Sequence, residues 1–231
     1  MIRRLGLVRH IPPWVQLWIG GHGAAGRGEE RFSGLLLDSI RGGDVVWDVG
    51  ANVGVYTCRI SEAVGPSGRV CAFEPNPRCF RLLEEEIARR RLSNVRALNV
   101  ALGRSHGDVV MEFAEQPNGQ THRVVGQVRG LESGRTMVVK CVSGDELVGS
   151  GEVGVPQVVK VDVEGYEVEL LEGLKTTLRT EKLRAVFCEV HFGLLESRGL
   201  RYGPVAIRRL LRSCGLRRHR WVGASHLVAS R

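Results

Sequence analysis

Apolar residues in this chain of 231 residues fall into two recurring patterns. Short continuous runs closed by Gly, Pro or a polar residue predict strands covered on both faces. They are DVVWDVG (44–50), GRVCAFEP (68–75), VRALNVALG (95–103), PQVVKVDVEG (156–165) and LRAVFCEVH (183–191). Longer stretches with helical spacing lie between them. One runs from about Glu30 to Ile40 and is stopped by Gly42 and Gly43. A second has Asn76 as its N-cap and Pro77 at the first helical position. Cys79, Phe80, Leu83 and Ile87 form its apolar stripe, with Glu85–Arg89 and Glu86–Arg90 pairs on the wet side. A third is expected from about Tyr166 to Thr177. The last, PVAIRRLLRSCG (204–215), is expected to turn Ala206, Ile207, Leu210, Leu211 and Cys214 inward and Arg208, Arg209 and Arg212 outward. LRRHRWVG and SHLVASR then predict a C-terminal hairpin.

Residues 107–142 break the rhythm. GDVVMEF and TMVVKCV predict an inserted hairpin, joined by a polar, Gly-rich loop over 114–135. A connection that long in a compact domain is usually functional. The expected organisation is an N-terminal segment and helix (1–42) packed on one α/β domain (43–231) that carries this insertion. Strand–helix alternation implies a mostly parallel, doubly wound sheet with helices on both faces. Ligands bind such sheets at the carboxyl ends of the strands.

The first strand ends in DVGANVG. Gly50 and Gly54 allow a sharp turn and a close approach of ligand to backbone. Asn52 stands where the dinucleotide fingerprint has its second Gly, which argues against a pyrophosphate and so against a nicotinamide cofactor. Glu74 closes the next strand, placed to accept both ribose hydroxyl protons. Glycines, a strand-end Asp48 and a ribose carboxylate without a pyrophosphate loop point to S-adenosylmethionine.

In chain order, VWDVGANVGVYT, AFEPNP, LNVALG, VKVDVEGYEVELLEGL and CEVH resemble the FkbM-type S-adenosylmethionine-dependent methyltransferases. The resemblance covers roughly Gly43 to His191, and the D-V-E-G-x-E element is its most specific part. It implies a Rossmann-like, seven-stranded methyltransferase sheet with an antiparallel last strand, and methyl transfer to a hydroxyl of a sugar or natural product. By position it implies that Asp48, Gly50, Ala51, Asn52 and Gly54 hold the methionine part, Glu74 the ribose, and Ala101 and Leu102 the adenine.

The fourth strand carries Lys160, Asp162 and Glu164 two residues apart, so strand alternation sends all three to one face. Charges buried on one face are costly unless paired or used. The fifth strand likewise ends with Glu189 and His191. Asp162, Glu164, Glu189 and His191 are therefore the expected catalytic set, with His191 the natural general base by pKa and Lys160 a counter-ion to Asp162. No metal-specific spacing is present; a divalent cation could bind such a set but is not predicted.

Net charge is +8, and 29 of the 33 basic residues are Arg. No acidic residue follows Glu196, so the C-terminal end carries a positive field suited to a phosphate-bearing acceptor, RNA or an anionic surface. No RNA-binding module or aromatic–basic platform accompanies it, which leaves an RNA methyltransferase as an alternative reading and nucleic acid as a disfavoured partner. A non-catalytic binding protein that keeps the fold is the other alternative. The six Cys are scattered without a C-x-x-C pair, consistent with a reducing, cytoplasmic setting. Pro12 and Pro13 interrupt the N-terminal apolar stretch, so neither a signal peptide nor a membrane span is expected; Trp14 and Trp18 are read as packing that segment onto the domain.

Overall fold

The computed structural model describes residues 26–113, 122–126 and 136–231. The readings of Trp14 and Trp18, and of the N-terminal segment before residue 26, fall outside the described residues.

Strand β1 (Val45–Val49) sits at the centre of a seven-stranded sheet. β2 (Arg69–Phe73) and β3 (Val95–Leu98) lie to one side of it. To the other side come β8 (Val158–Val161), β9 (Ala185–Glu189), β11 (His226–Ser230) and β10 (Arg218–Val222), in that spatial order. All neighbours pair in parallel except at β11, which runs antiparallel to both β9 and β10. This is the sheet that the resemblance implied.

Alternation along β1 explains why it must be covered twice. Val46 faces one core with Phe32 and Leu36 of α1 (Gly26–Ser39) and with Tyr56, Ile60 and Val64 of α2 (Val55–Val64). Trp47 and Val49 face the other core, built with Leu147 of α4 (Gly144–Gly149), Leu170 and Leu171 of α5 (Glu167–Glu172), Leu178 of α6 (Lys175–Arg179) and Ile207 and Leu211 of α8 (Gly203–Ser213). On the first face, α3 (Pro77–Arg90) packs Leu83 against Ala51 and Ala72. Its N-cap is Asn76, whose side chain accepts the amides of Arg78 and Cys79. On its wet side Glu86 pairs with Arg90 as expected from spacing, and Arg89 bonds Glu86 as well, in place of Glu85.

Three predicted elements come out differently. The strand expected over 95–103 is broken at Asn99, whose amide donates to the carbonyls of Glu74 and Pro75 and steers the chain across the end of β2. Its continuation, β4 (Ala101–Leu102), leaves the main sheet and pairs with β7 (Thr136–Val142). The expected hairpin is a larger structure. β5 (Gly107–Phe113) and β7 pair antiparallel, and β6 (His122–Gly126), inside the segment read as loop, adds to the far side of β5. The result is a second sheet of four strands in the order β4-β7-β5-β6. Finally, the helix expected over 166–177 is two helices. A Cβ on Gly173 would stand 1.7 Å from the carbonyl of Gly103, and at this crossing the helix stops. Asp145 then accepts the amides of Thr176 and Thr177 to restart the chain as α6. All six cysteines are free and buried. Among the described residues, no helix is long and apolar enough to cross a membrane.

Candidate active site

Two adjoining cavities open at the carboxyl ends of β1, β2 and β8. The larger, about 580 Å³, is walled by Phe73, Val100, Ala101, Leu102, Met111 and Tyr166, with Glu74 and Asn52 at its polar side. The smaller, about 370 Å³, runs past Gly50, Asn52, Val55 and Tyr56 to Lys160. Gly50, Asn52 and Asp162 border both. The loop between β1 and α2 owes its shape to backbone conformations that favour these residue types. Gly50 has φ +79°, and a Cβ there would lie 1.8 Å from the carbonyl oxygen of Asp162. Asn52 is left-handed at φ 51°. Its amide donates to Glu74 Oε2 at 2.7 Å, while the amide of Asn76 donates to Oε1 at 2.8 Å. Glu74 is thus locked in orientation, and burial pushes its carboxyl up to about 7.

Asp48 and Gly54 line neither cavity. Asp48 is fully buried beneath the loop, where Oδ2 accepts the hydroxyl of Thr57 and Oδ1 lies 3.3 Å from Lys160 Nζ. Gly54 packs under Leu83, which a Cβ would approach to 2.7 Å. Both support the loop from below, whereas they were expected beside the methionine part. Gly50, Ala51 and Asn52 form the loop itself, and Ala101 and Leu102 wall the larger cavity.

The four residues expected to act catalytically do meet, though by a route different from strand alternation. β8 ends at Val161, and Glu164 turns left-handed at φ 50° before Gly165. The turn is held by Arg198, which donates to the Gly165 carbonyl, pairs with Glu169 at 2.6 Å and lies over the Tyr166 ring. His191 follows β9 as the N-cap of α7 (Phe192–Ser197). Its Nε2 stands 3.2 Å from Glu164, 3.8 Å from Asp162 and 3.9 Å from Glu189. All four side chains are partly exposed, and Asp162 borders both cavities.

The residue without an expected role is Glu167. It is fully buried, and its Oε1 accepts both the Gly165 amide at 2.9 Å and His191 Nδ1–H at 2.7 Å. This bond fixes the imidazole's orientation and leaves Nε2 toward the cleft. The D-V-E-G-x-E element ends on this residue, so its presence was visible in the sequence although its role was not. Glu164 faces His191, and Glu167 accepts the turn amide. Burial opposes a charge on His191, but the bond to Glu167 and the charges of Asp162 and Glu164 outweigh it and push the imidazole up to about 9. Burial likewise lifts Glu164 to about 7, with His191 pulling the other way. Donor atoms of Asp162, Glu164 and His191 lie within 4.8 Å of one another, close enough for a divalent cation. Lys160 stands beside Asp162, and the imidazole beside Glu164. Tyr166 and Met111 also border the larger cavity. Met111 comes from the inserted sheet and nothing in its spacing announces it.

Sheet order and cleft define a Rossmann-like fold of the methyltransferase kind. A S-adenosylmethionine-dependent methyltransferase from Aquifex aeolicus superimposes with a TM-score of 0.51, 13% identity, and coverage of 95% of this chain and 97% of that one. A methyltransferase FkbM from Methylobacillus flagellatus gives a TM-score of 0.51 at 14% identity, covering 81% of this chain and 43% of the other. The chain belongs to the FkbM methyltransferase family: the Methyltransferase FkbM domain matches residues 48–218. Among curated relatives, the hexuronic acid methyltransferase AglP of Haloferax volcanii is 40% identical over 168 residues, 73% of this chain. The match spans 64% of that relative's own length.

Proposed function

We propose that the chain is an S-adenosylmethionine-dependent O-methyltransferase whose acceptor is a hydroxyl of a sugar, with hexuronic acids the first class to consider. The observation that carries this reading is the imidazole of His191, fixed at Nδ1 by buried Glu167 and presenting Nε2 beside Asp162, Glu164 and Glu189 at the end of the cleft. The cleft suits the cofactor: apolar walls for a purine, an oriented carboxylate for the ribose, and a loop with the ammonium of Lys160 below it for the amino acid end. When bound, the cofactor supplies an electrophilic methyl group on a positively charged sulfur. Methyl transfer from such a centre needs alignment of the acceptor oxygen and removal of its proton. Where His191 is neutral, a fraction that grows as the pH rises toward about 9, its Nε2 takes that proton, and Asp162 and Glu164 orient the hydroxyl and stabilise the imidazolium formed. The free edge of Glu189 is placed to accept a neighbouring sugar hydroxyl. The hexuronic acid acceptor of AglP supports the choice of sugar, as does the positive C-terminal end for an acidic one.

Calorimetric titration of S-adenosylmethionine and S-adenosylhomocysteine into wild type and Glu74→Ala, with NADH as control, tests the donor half. Micromolar affinity weakened at least about tenfold by the substitution is expected from losing the paired ribose bonds. Well-folded protein that binds neither ligand would sink the methyltransferase reading. Methyl transfer from labelled cofactor to glucuronate- and glucose-ended disaccharides then tests the acceptor class.

A further inference from the structure

A second group of ionisable side chains lies beside the cleft and shares one member with it. His226 opens β11 and stands in register with Glu189 of β9. Its Nε2 is 3.5 Å from Glu189 Oε2 and 2.9 Å from Glu29 Oε2 of α1. Phe32, one helical turn along α1, packs its ring 4.4 Å from the imidazole centroid. Tyr56 donates its hydroxyl to the other oxygen of Glu29, and Lys160 Nζ lies 4.8 Å over the Tyr56 ring. Lys160 in turn bonds Asp162, which stands 3.8 Å from His191. The remaining gap closes through Glu189, whose Oε1 is 3.9 Å from His191 Nε2. These contacts form a closed ring around the carboxyl edge of the sheet: His191, Glu189, His226, Glu29, Tyr56, Lys160 and Asp162.

We propose that His226, anchored by Glu29, is a positioning residue for the reaction: it holds the carboxylate of Glu189 between two imidazoles and sets the charge that His191 feels. The inference rests on reading the cleft as the methyl-transfer site. Its physical basis is the cost of ordering a flexible carboxylate. A separation of 3.9 Å to His191 is no hydrogen bond, so that contact alone does not fix Glu189. Among the described residues, the two imidazoles are its charged partners, and His226 is the nearer. His226 is held in turn by α1 on one side and by the β9 register on the other. Burial disfavours its charge, yet the neighbouring carboxylates of Glu189 and Glu29 prevail and push it up to about 9. Helix α1 precedes the matched FkbM region and β11 follows it, so this support comes from outside residues 48–218.

Titration of the imidazole Cε1–H resonances by NMR, in the full chain and its E29Q and H226Q variants, tests the proposal without requiring turnover. Removing the imidazolium of His226 takes a positive neighbour from His191 and releases Glu189 toward it. The His191 midpoint should therefore rise by about half a pH unit or more in H226Q. In E29Q the His226 midpoint should fall by about one unit. His191 should again rise, because its neighbour now loses its proton first. A His191 midpoint that stays put or falls in both variants overturns the proposal and leaves Glu29 and His226 as a strap between α1 and the sheet. E29Q preserves the shape of the side chain and carries the test alone if H226Q does not fold. Failure of cofactor binding would sink the methyltransferase reading while leaving this titration readable.

Discussion

Replacing Glu167 by Gln removes a charge from the buried partner of His191 and leaves the shape intact. In the native protein the imidazole is held at about 9, against 6.5 for an unperturbed His. That difference corresponds to about 3 kcal/mol favouring the charged form in the folded state. A raised histidine stabilises the fold fully below its unfolded pKa, and that contribution is lost as the pH rises through the folded value. The window is therefore about pH 6.5 to 9. The hydrogen bond to Glu167 is the foremost influence raising the value, so Glu167→Gln should bring the His191 midpoint down by about one unit or more. The variant should then be less stable than wild type by about 1–3 kcal/mol near pH 6, and the difference should shrink toward pH 9.5. Relief of the buried carboxylate's own solvation cost adds an offset, so the test is read from the slope. Urea unfolding at intervals across that range measures it. A difference that is flat with pH, or that widens toward alkaline pH, would refute the coupling of these two side chains.

Three further outcomes are expected. Because burial lifts Glu74 to about 7, and its ionised form accepts ribose hydroxyls better, affinity for S-adenosylhomocysteine should strengthen between about pH 6 and pH 8 in calorimetry; a flat profile would remove Glu74 from the ribose. Gly50→Ala would force a Cβ to within 1.8 Å of the Asp162 carbonyl, and should cost at least about 3 kcal/mol in chemical denaturation or prevent folding. Asp48→Asn leaves the deeply buried ammonium of Lys160 short of one carboxylate and should lower stability by about 3–5 kcal/mol; a loss under about 1 kcal/mol would show that Asp162 and the Gly50 carbonyl suffice.

The main sheet was legible because its central strands are buried on both faces and so read as unbroken apolar runs. The loop after β1 was legible for a different reason: positive φ values select Gly and Asn, and those residues stand at the positions that need them. The places where the reading failed share a physical cause. The break at Asn99, the extra strand β6 and the division of α5 from α6 are decided by contacts between distant segments, as with Gly173 against Gly103. Local spacing carries no record of such crossings. The cluster around His191 shows both sides at once. Strand alternation grouped Asp162, Glu164, Glu189 and His191, which do meet, yet Glu164 arrives through a left-handed turn and His191 from a helix cap.

The charged strand is explained most fully by Lys160. Its ammonium is almost completely buried, and burial alone would strip its proton. The carboxylates of Asp48 and Asp162 oppose that effect and raise its pKa instead. The same ammonium donates to the carbonyl of Gly50 at 3.3 Å. One cation therefore ties together the carboxyl end of β1, the glycine turn that follows it and the first carboxylate of the His191 cluster. A hydrophobic residue of similar length could fill the space but would leave two carboxylates facing each other across it. A strand carrying only apolar residues could support the sheet; it could not hold the glycine turn after β1 and the carboxylate of Asp162 in fixed relation. The charges on β8 and the turn beyond it thus divide by depth, with Lys160 joining the two halves of the site from below and Asp162 and Glu164 facing the cleft above.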